Sequence, residues 1–286
     1  MIAVLRHIGL VARLTFLEAV RQRFFNFIML MSLGLLGCVT YFRLLSFQTE
    51  EMRFDAEFGM GAIVFFGSIL SVVASAQLFF AEIENRTALT LLAKPVRRWS
   101  FIAGKLLGVS LLLLVFVGIL TALLGTYLWW RQGNYIDAWL IAEAKLKVTT
   151  EFPEEMRVQF DGFVLDAFLQ WLKFSVVAAF TMFIASFSNT NLYTVIVSFF
   201  IYLICLLQYI ALDAWKGVSS PVLRGLVWLL SKVFPNLQLF AVGDLLLFTQ
   251  KSPIPNSAVA AAIGYAIFYV VLFTALAVAS FSSREI

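Results

Sequence analysis

Histidine is almost absent from this 286-residue sequence: His7 is the only one. A haem held between two intramembrane histidines is therefore excluded, and a metal site built on histidine lacks its ligands. Cysteine is nearly as scarce. Cys38 and Cys205 both fall inside apolar runs, so neither points to a disulfide framework or a metal site. Charged residues make up 13% of the chain, about half the share of an ordinary soluble domain. All six prolines lie outside the long apolar runs, which should leave those runs unkinked by proline. No acidic residue is expected in the core of such a run, and this speaks against a proton or sodium relay. The glycine-rich phosphate loop of an ATPase is missing, so the chain cannot hydrolyse ATP alone. With one histidine near the N-terminus, no Ser/His/Asp arrangement can be built easily. The expectation is a chain that is not an enzyme and that holds no cofactor or metal of its own. Nothing in it points to nucleic acid.

What is abundant is apolar surface. Hydrophobic residues reach 62% and the mean hydropathy is +0.92. The apolar runs are continuous over about 20 residues, the length needed to cross the hydrocarbon core of a bilayer. Barrel strands would alternate instead. The fold class is therefore all-α: a polytopic membrane protein, one transmembrane domain over 1–286, with six transmembrane helices. The spans are expected at about 24–42, 60–80, 106–130, 167–187, 192–212 and 258–281.

Between the spans the sequence is informative in different ways. Residues 1–22 carry Leu5, Ile8, Leu10, Val11, Leu14, Leu17 and Val20 at helical spacing with Arg6, Arg13, Glu18 and Arg21 between them, which predicts an amphipathic interfacial helix lying on the membrane surface. Leu35-Leu36-Gly37-Cys38 is similar to a lipoprotein cleavage box, but the long charged helix before it is unlike a signal peptide, and a cysteine inside a span is the plainer reading. Gly67, Ser71 and Ser75 form a small-residue stripe that would let another helix approach. Lys173, near the outer end of span four, is placed to snorkel. Glu154-Glu155 after Pro153 reads as a solvated helix start rather than an acid/base pair. The loops 131–166 and 213–257 are the sizeable ones. The second holds two apolar stretches, 222–234 and 237–248, too short to cross and punctuated by prolines, which predicts a pair of short re-entrant or interfacial helices before the last span.

Six crossings put both termini on one side. The basic residues on the two sides tie in number, but those on the terminal side crowd into shorter stretches, with Arg21 and Arg23 flanking the first span. This density places both termini in the cytoplasm of a plasma (bacterial inner) membrane. The loop 82–105 then faces the cytoplasm. It holds five of the 21 basic residues, Arg86, Lys94, Arg97, Arg98 and Lys105. Glu82 and Glu84 would sit at the positive end of a helix starting near Arg86, with Asn85 as its cap. Pro95 would end it, and Arg97, Arg98 and Trp99 follow, residue types that commonly anchor interfaces. A basic loop that serves only the positive-inside rule accounts for the same charges, and the residues alone leave the two readings level.

The order Glu82-x-Glu84-x-x-Thr87, Leu91-Leu92, Pro95, Arg97-Arg98, Gly104-Lys105 resembles the segment between spans two and three of ATP-binding cassette type-2 exporter permeases. The amphipathic N-terminus, six spans, paired short helices and the Arg284-Glu285 ending are similar to that family too. Arg86 departs from the pattern, since many members have glycine there. The resemblance implies a permease that pairs with a second copy or a related permease, and with a cytoplasmic ATP-binding cassette ATPase that binds the ATP and magnesium. It implies that 82–105 is the coupling segment, with Glu82, Glu84, Arg86, Thr87, Pro95, Arg97, Arg98 and Trp99 as the ATPase-coupling surface and the turn 188–191 as a second, weaker contact. The competing expectation is a non-transporting membrane anchor or assembly subunit that recruits a cytoplasmic partner through the same loop. A membrane transferase is a third, without named residues. Apolar span interiors suit an amphipathic or lipid-like cargo.

Overall fold

The computed structural model describes residues 2–41, 51–84, 98–146, 158–214, 225, 234–241 and 256–282. Among these, every regular element is helical: α1 (Ile2–Arg21), α2 (Arg23–Cys38), α3 (Glu51–Glu84), α4 (Arg98–Leu146), α5 (Phe160–Phe187), α6 (Asn191–Ala214), a 3-10 turn (Leu237–Phe240) and α7 (Asn256–Ser282). Five stretches are long and apolar enough to cross a membrane: Met52–Ala81, Trp99–Ile141, Phe160–Phe187, Asn191–Gln208 and Asn256–Ser282. The chain is thus an all-helical, multi-pass membrane protein. The expected first span appears as the 16-residue α2, about 24 Å long and short of the roughly 30 Å hydrocarbon core.

The helices overrun the apolar windows that mark them. α4 has 49 residues, roughly 73 Å at 1.5 Å per residue, and continues through positions expected to be loop on both sides of span three. Its inward stripe Leu106, Val109, Leu113, Phe116, Leu120, Leu124 and Leu128 repeats every three or four residues and is buried throughout, so one helical face packs along the whole span. α3 starts at Glu51, nine residues before the expected span, with an Arg53–Glu57 pair at 2.6 Å on its exposed side.

α5 is the centre. It packs on α3, α4, α6 and α7, and 83% of its membrane window is buried, against 28% for α6 and 17% for α7. Phe174 of α5 lies so close over Gly67 of α3 that a side chain at Gly67 would displace the ring. Ser71 and Ser75, buried beside it, bond their own helix carbonyls at 2.8 and 2.6 Å, which leaves the interface smooth. α5 and α6 are joined by a three-residue turn. Ser188 N–H closes on the Ile184 carbonyl at 3.1 Å, and Thr190 Oγ1 accepts from Tyr193 N at 3.3 Å to cap α6. Such a short link makes the two helices antiparallel neighbours.

Two sequence expectations change here. Asp55 and Asp166 are both buried within helices that cross, so acids do enter the spans, because α3 and α5 begin earlier than their apolar windows. For the same reason Lys173 lies near the middle of α5. It is buried, with Nζ 5.5 Å from the centre of the Phe174 ring, and does not snorkel. Of the region 213–257 the structure describes the stretch around Leu237–Phe240. Asn236 Oδ1 caps that turn by accepting from Gln238 N at 3.0 Å, and Asn236 N donates to the Tyr265 hydroxyl of α7 at 2.7 Å. Leu237 and Phe240 pack into a core with α5, α6 and α7. Most of the two expected short helices lies outside the described residues.

Candidate coupling site

Arg86, Thr87, Pro95 and Arg97 lie outside the described residues. Glu82 and Glu84 end α3, and Arg98 begins α4 with Trp99 exposed beside it. The structure therefore fixes the two stems of the segment, and how they are held decides what a force on it would do.

The stems form an antiparallel pair whose register is constant. Lys105 of α4 reaches Leu78 of α3, Leu124 faces Gly59, and Tyr127 meets Asp55. At the near end, Lys105 is fully buried. Its Nζ donates to the Leu78 carbonyl and sits 5.1 Å from the centre of the Phe101 ring. An ammonium buried in lipid must find such partners. Around it Phe79 and Phe101 enclose Phe281 of α7, with ring centres 5.9 and 6.2 Å apart, and Ala185 of α5 completes the cluster. Four helices thus meet within a turn or two of the segment.

α1 joins them through glycine. A Cβ on Gly104 would come within 2.7 Å of Val11 Cβ, and one on Gly108 within 2.7 Å of the Ala12 carbonyl oxygen and 2.6 Å of Thr15 Cβ. Four residues separate the glycines, and α1 steps by four in the same sense, so backbone meets backbone as at other small-residue seams. The buried face of α1 is Ile8, Ala12, Thr15 and Ala19; Leu10, Leu14 and Leu17 point outward.

At the far end, Asp55 and Arg131 form a buried ion pair. The Tyr127 hydroxyl donates to Asp55 Oδ2 at 3.2 Å and accepts from Arg131 Nη1 at 3.4 Å, while the Arg131 guanidinium lies 5.9 Å from the Tyr135 ring centre. Lys105 and Arg131 are about 39 Å apart along α4. Between them, Ser110 Oγ and Ser175 Oγ share a 2.9 Å bond, and Trp171 Nε1 donates to the Ser110 carbonyl at 2.9 Å. These contacts tie α4 to α5 about a turn and a half from Lys105.

Sequence reasoning passed over Asp55, Tyr127 and Arg131. The usable signal was the four-residue step from Tyr127 to Arg131, which puts both on one face. A second missed group is Asp166, Gln170 and Lys173 on one side of α5, where Gln170 Nε2 donates to Asp166 Oδ1 at 3.2 Å and to the Phe240 carbonyl at 3.1 Å. Among the described residues no cluster of His, Cys, Asp or Glu has the makings of a metal site.

A search of curated proteins finds no relative that matches this chain. A family model described as "ABC-2 family transporter protein" matches residues 11–286. That match covers nearly the whole chain and all five helices able to cross the membrane, and with the multi-pass helical fold it shows that the chain belongs to the ABC-2 family of transporter permeases.

Proposed function

We infer that this chain is the membrane subunit of an ATP-driven exporter, working as a pair of permeases with two cytoplasmic ATPase subunits that bind the ATP and magnesium. The coupling surface is Glu82, Glu84, Arg86, Thr87, Pro95, Arg97, Arg98 and Trp99. α2 belongs to a sixth crossing, α1 rides at the level of the first turns of α4 on the cytoplasmic face, and both termini lie in the cytoplasm of a bacterial inner membrane. The loops after α4 and α6 then face outward.

The observation that carries this reading is the clamped pair α3–α4. Both stems of the coupling segment belong to helices joined at Lys105–Leu78 and again at Asp55–Arg131. A displacement imposed on 85–97 is therefore delivered along the full depth of the membrane as motion of a two-helix unit. It reaches the central α5 through Ser110, Ser175 and Trp171. ATP turnover drives this only insofar as the nucleotide states of the ATPase bind the segment differently.

The test is purification of the tagged chain in mild detergent, with identification of co-purifying proteins and ATPase assays on the complex. An ATPase at about one copy per permease is expected, with turnover that falls when Arg97 and Arg98 are replaced by alanine. Each arginine, as an interface anchor, is expected to contribute about 1–2 kcal/mol to binding. Binding without any effect on turnover returns the anchor reading, and unchanged affinity in the double variant removes the arginines from the interface.

A further inference from the structure

The far half of the α4–α5 seam carries a feature that ATPase coupling does not use. On the bilayer-facing side, α4 from Leu114 to Thr126 and α5 from Phe160 to Trp171 leave an open groove of about 430 Å³. Its wall is almost wholly carbon, and Gly118 forms part of its floor; a Cβ there would meet no atom within 4 Å. Immediately beyond it lies a second cavity of about 460 Å³, bounded by α4 from Trp129 to Asp137 and by Val158 and Phe160. Phe160 belongs to both walls, so the two spaces adjoin.

The boundary between them sits at a definite depth. Trp129 and Trp130 are both exposed there, and tryptophans of this kind mark the level of the lipid head groups. Trp99 marks the other face 30 residues earlier on the same helix, about 45 Å away, which is the full thickness of a bilayer with its head groups. The carbon-walled groove therefore lies at acyl-chain depth and the second cavity at head-group depth.

Among the polar groups of the head-group cavity, two are acceptors in want of a donor. Gln132 is 8% exposed, and its Oε1 is buried with no hydrogen-bond partner among the described residues. Asp137 adds an exposed carboxylate that makes no ion pair among the described residues, and Asn134 lies between them. No basic side chain lines the cavity, since Arg131 is engaged on Asp55. A buried amide oxygen without a donor carries a desolvation cost that a ligand N–H would relieve.

We propose that this paired groove and cavity is a binding site for one phospholipid with a primary-ammonium head group, its acyl chain along the α4–α5 groove and its ammonium on Gln132 Oε1 and Asp137. Both features of the head are needed. A quaternary choline brings the charge but has no N–H to donate to Gln132. A glycerol head donates but leaves a net anionic lipid against Asp137. The site is independent of the ATPase.

Native mass spectrometry tests this on the purified full-length protein, reconstituted in nanodiscs that contain equal amounts of phosphatidylethanolamine and phosphatidylcholine and then released. The wild type is expected to retain one ethanolamine lipid per chain, preferred over choline by roughly tenfold, the value of a single charge-assisted hydrogen bond. The Gln132→Leu/Asp137→Asn variant should retain both lipids equally. Gly118→Trp, which fills the groove, should retain neither, while Gly118→Ala behaves as wild type. A melting temperature for each variant separates loss of lipid from loss of fold. Equal retention of the two lipids by the wild type overturns the proposal. So does a Gly118→Trp protein that keeps its lipid but changes from dimer to monomer, because a second copy of the chain would then be what covers the groove.

Discussion

The two ends of the α3–α4 pair are held by different chemistry. Near the coupling segment the clamp is mostly apolar: phenylalanine rings from three helices, glycines that admit α1, and one ammonium on a backbone carbonyl. At the far end the clamp is an ion pair with a tyrosine between its members. Ring contacts are many and individually weak, so a sliding helix can exchange one for another, whereas parting a buried charge pair leaves two uncompensated charges. Under the proposed coupling, the near end would be the one to take up displacement and the far end the one to hold register.

If that contrast holds, the far end is the more brittle. Arg131→Met leaves Asp55 buried without its partner and is expected to cost about 3–5 kcal/mol, seen as a large drop in melting temperature in detergent. The double variant Asp55→Leu/Arg131→Met, which removes both charges, should recover most of it. If the double variant is as unstable as the single, the pair does not set the register and the contrast with the near end fails.

The glycine seam comes next. Gly108→Val pushes against the Ala12 carbonyl, which cannot move without shifting all of α1. Overpacking of this kind costs about 1–3 kcal/mol. Protease sensitivity at Arg21 and Arg23 should rise as α1 loosens, while Gly118→Val on the open face of the same helix should leave the cleavage pattern unchanged.

How much of this could be read from the chain beforehand depends on the kind of signal. The helical, membrane-crossing nature of the fold follows from run length alone, because about 20 apolar residues admit few other uses. Helix ends do not follow from it. α3, α4 and α5 continue past their apolar windows on polar residues such as Arg53, Asp55, Gln132 and Asp161, and nothing in hydropathy marks where a helix leaves the bilayer. The unexpected burial of Asp55, Asp166 and Lys173 comes from that one gap. Gly104 and Lys105 were legible as a motif without a reason; the structure supplies one, the approach of α1 and the capture of Leu78. Asp55–Arg131 was out of reach because pairing across a hairpin depends on register, and register is set by packing details such as Leu124 against Gly59. Arg98 is the first residue of α4.

Lys105→Met sharpens the comparison from the near side. It removes a charge-assisted bond to Leu78 and the contact with Phe101, while the aliphatic stem is kept. A loss of about 1.5–3 kcal/mol is expected from the bond, offset in part because no ammonium then has to be desolvated. Stability should fall less than in Arg131→Met. If 82–105 is the coupling segment proposed above, coupling of ATP turnover to cargo should fall more, because the slack then lies next to it. Equal effects on both readouts at the two ends would mean that α3 and α4 act as one uniform rod.

The smallest effect is expected at Ser110, between the two clamps. Ser110→Ala removes the 2.9 Å bond to Ser175 Oγ and leaves the Trp171 bond to the Ser110 carbonyl in place. Ser175 keeps a partner, since its hydroxyl also donates to the Trp171 carbonyl at 3.0 Å. No buried polar atom is orphaned, so the loss should be near the typical value for one interhelical bond in a membrane, about 0.6 kcal/mol. Trp171→Phe at the same depth removes the donor to the Ser110 carbonyl and also shrinks the ring beside α4, so it should cost more than Ser110→Ala. Melting temperatures of the two variants and their double then read the coupling between α4 and α5 directly. A double variant that equals the sum of the singles would mean that the contacts act separately. A smaller loss would mean that Ser110, Trp171 and Ser175 form one unit.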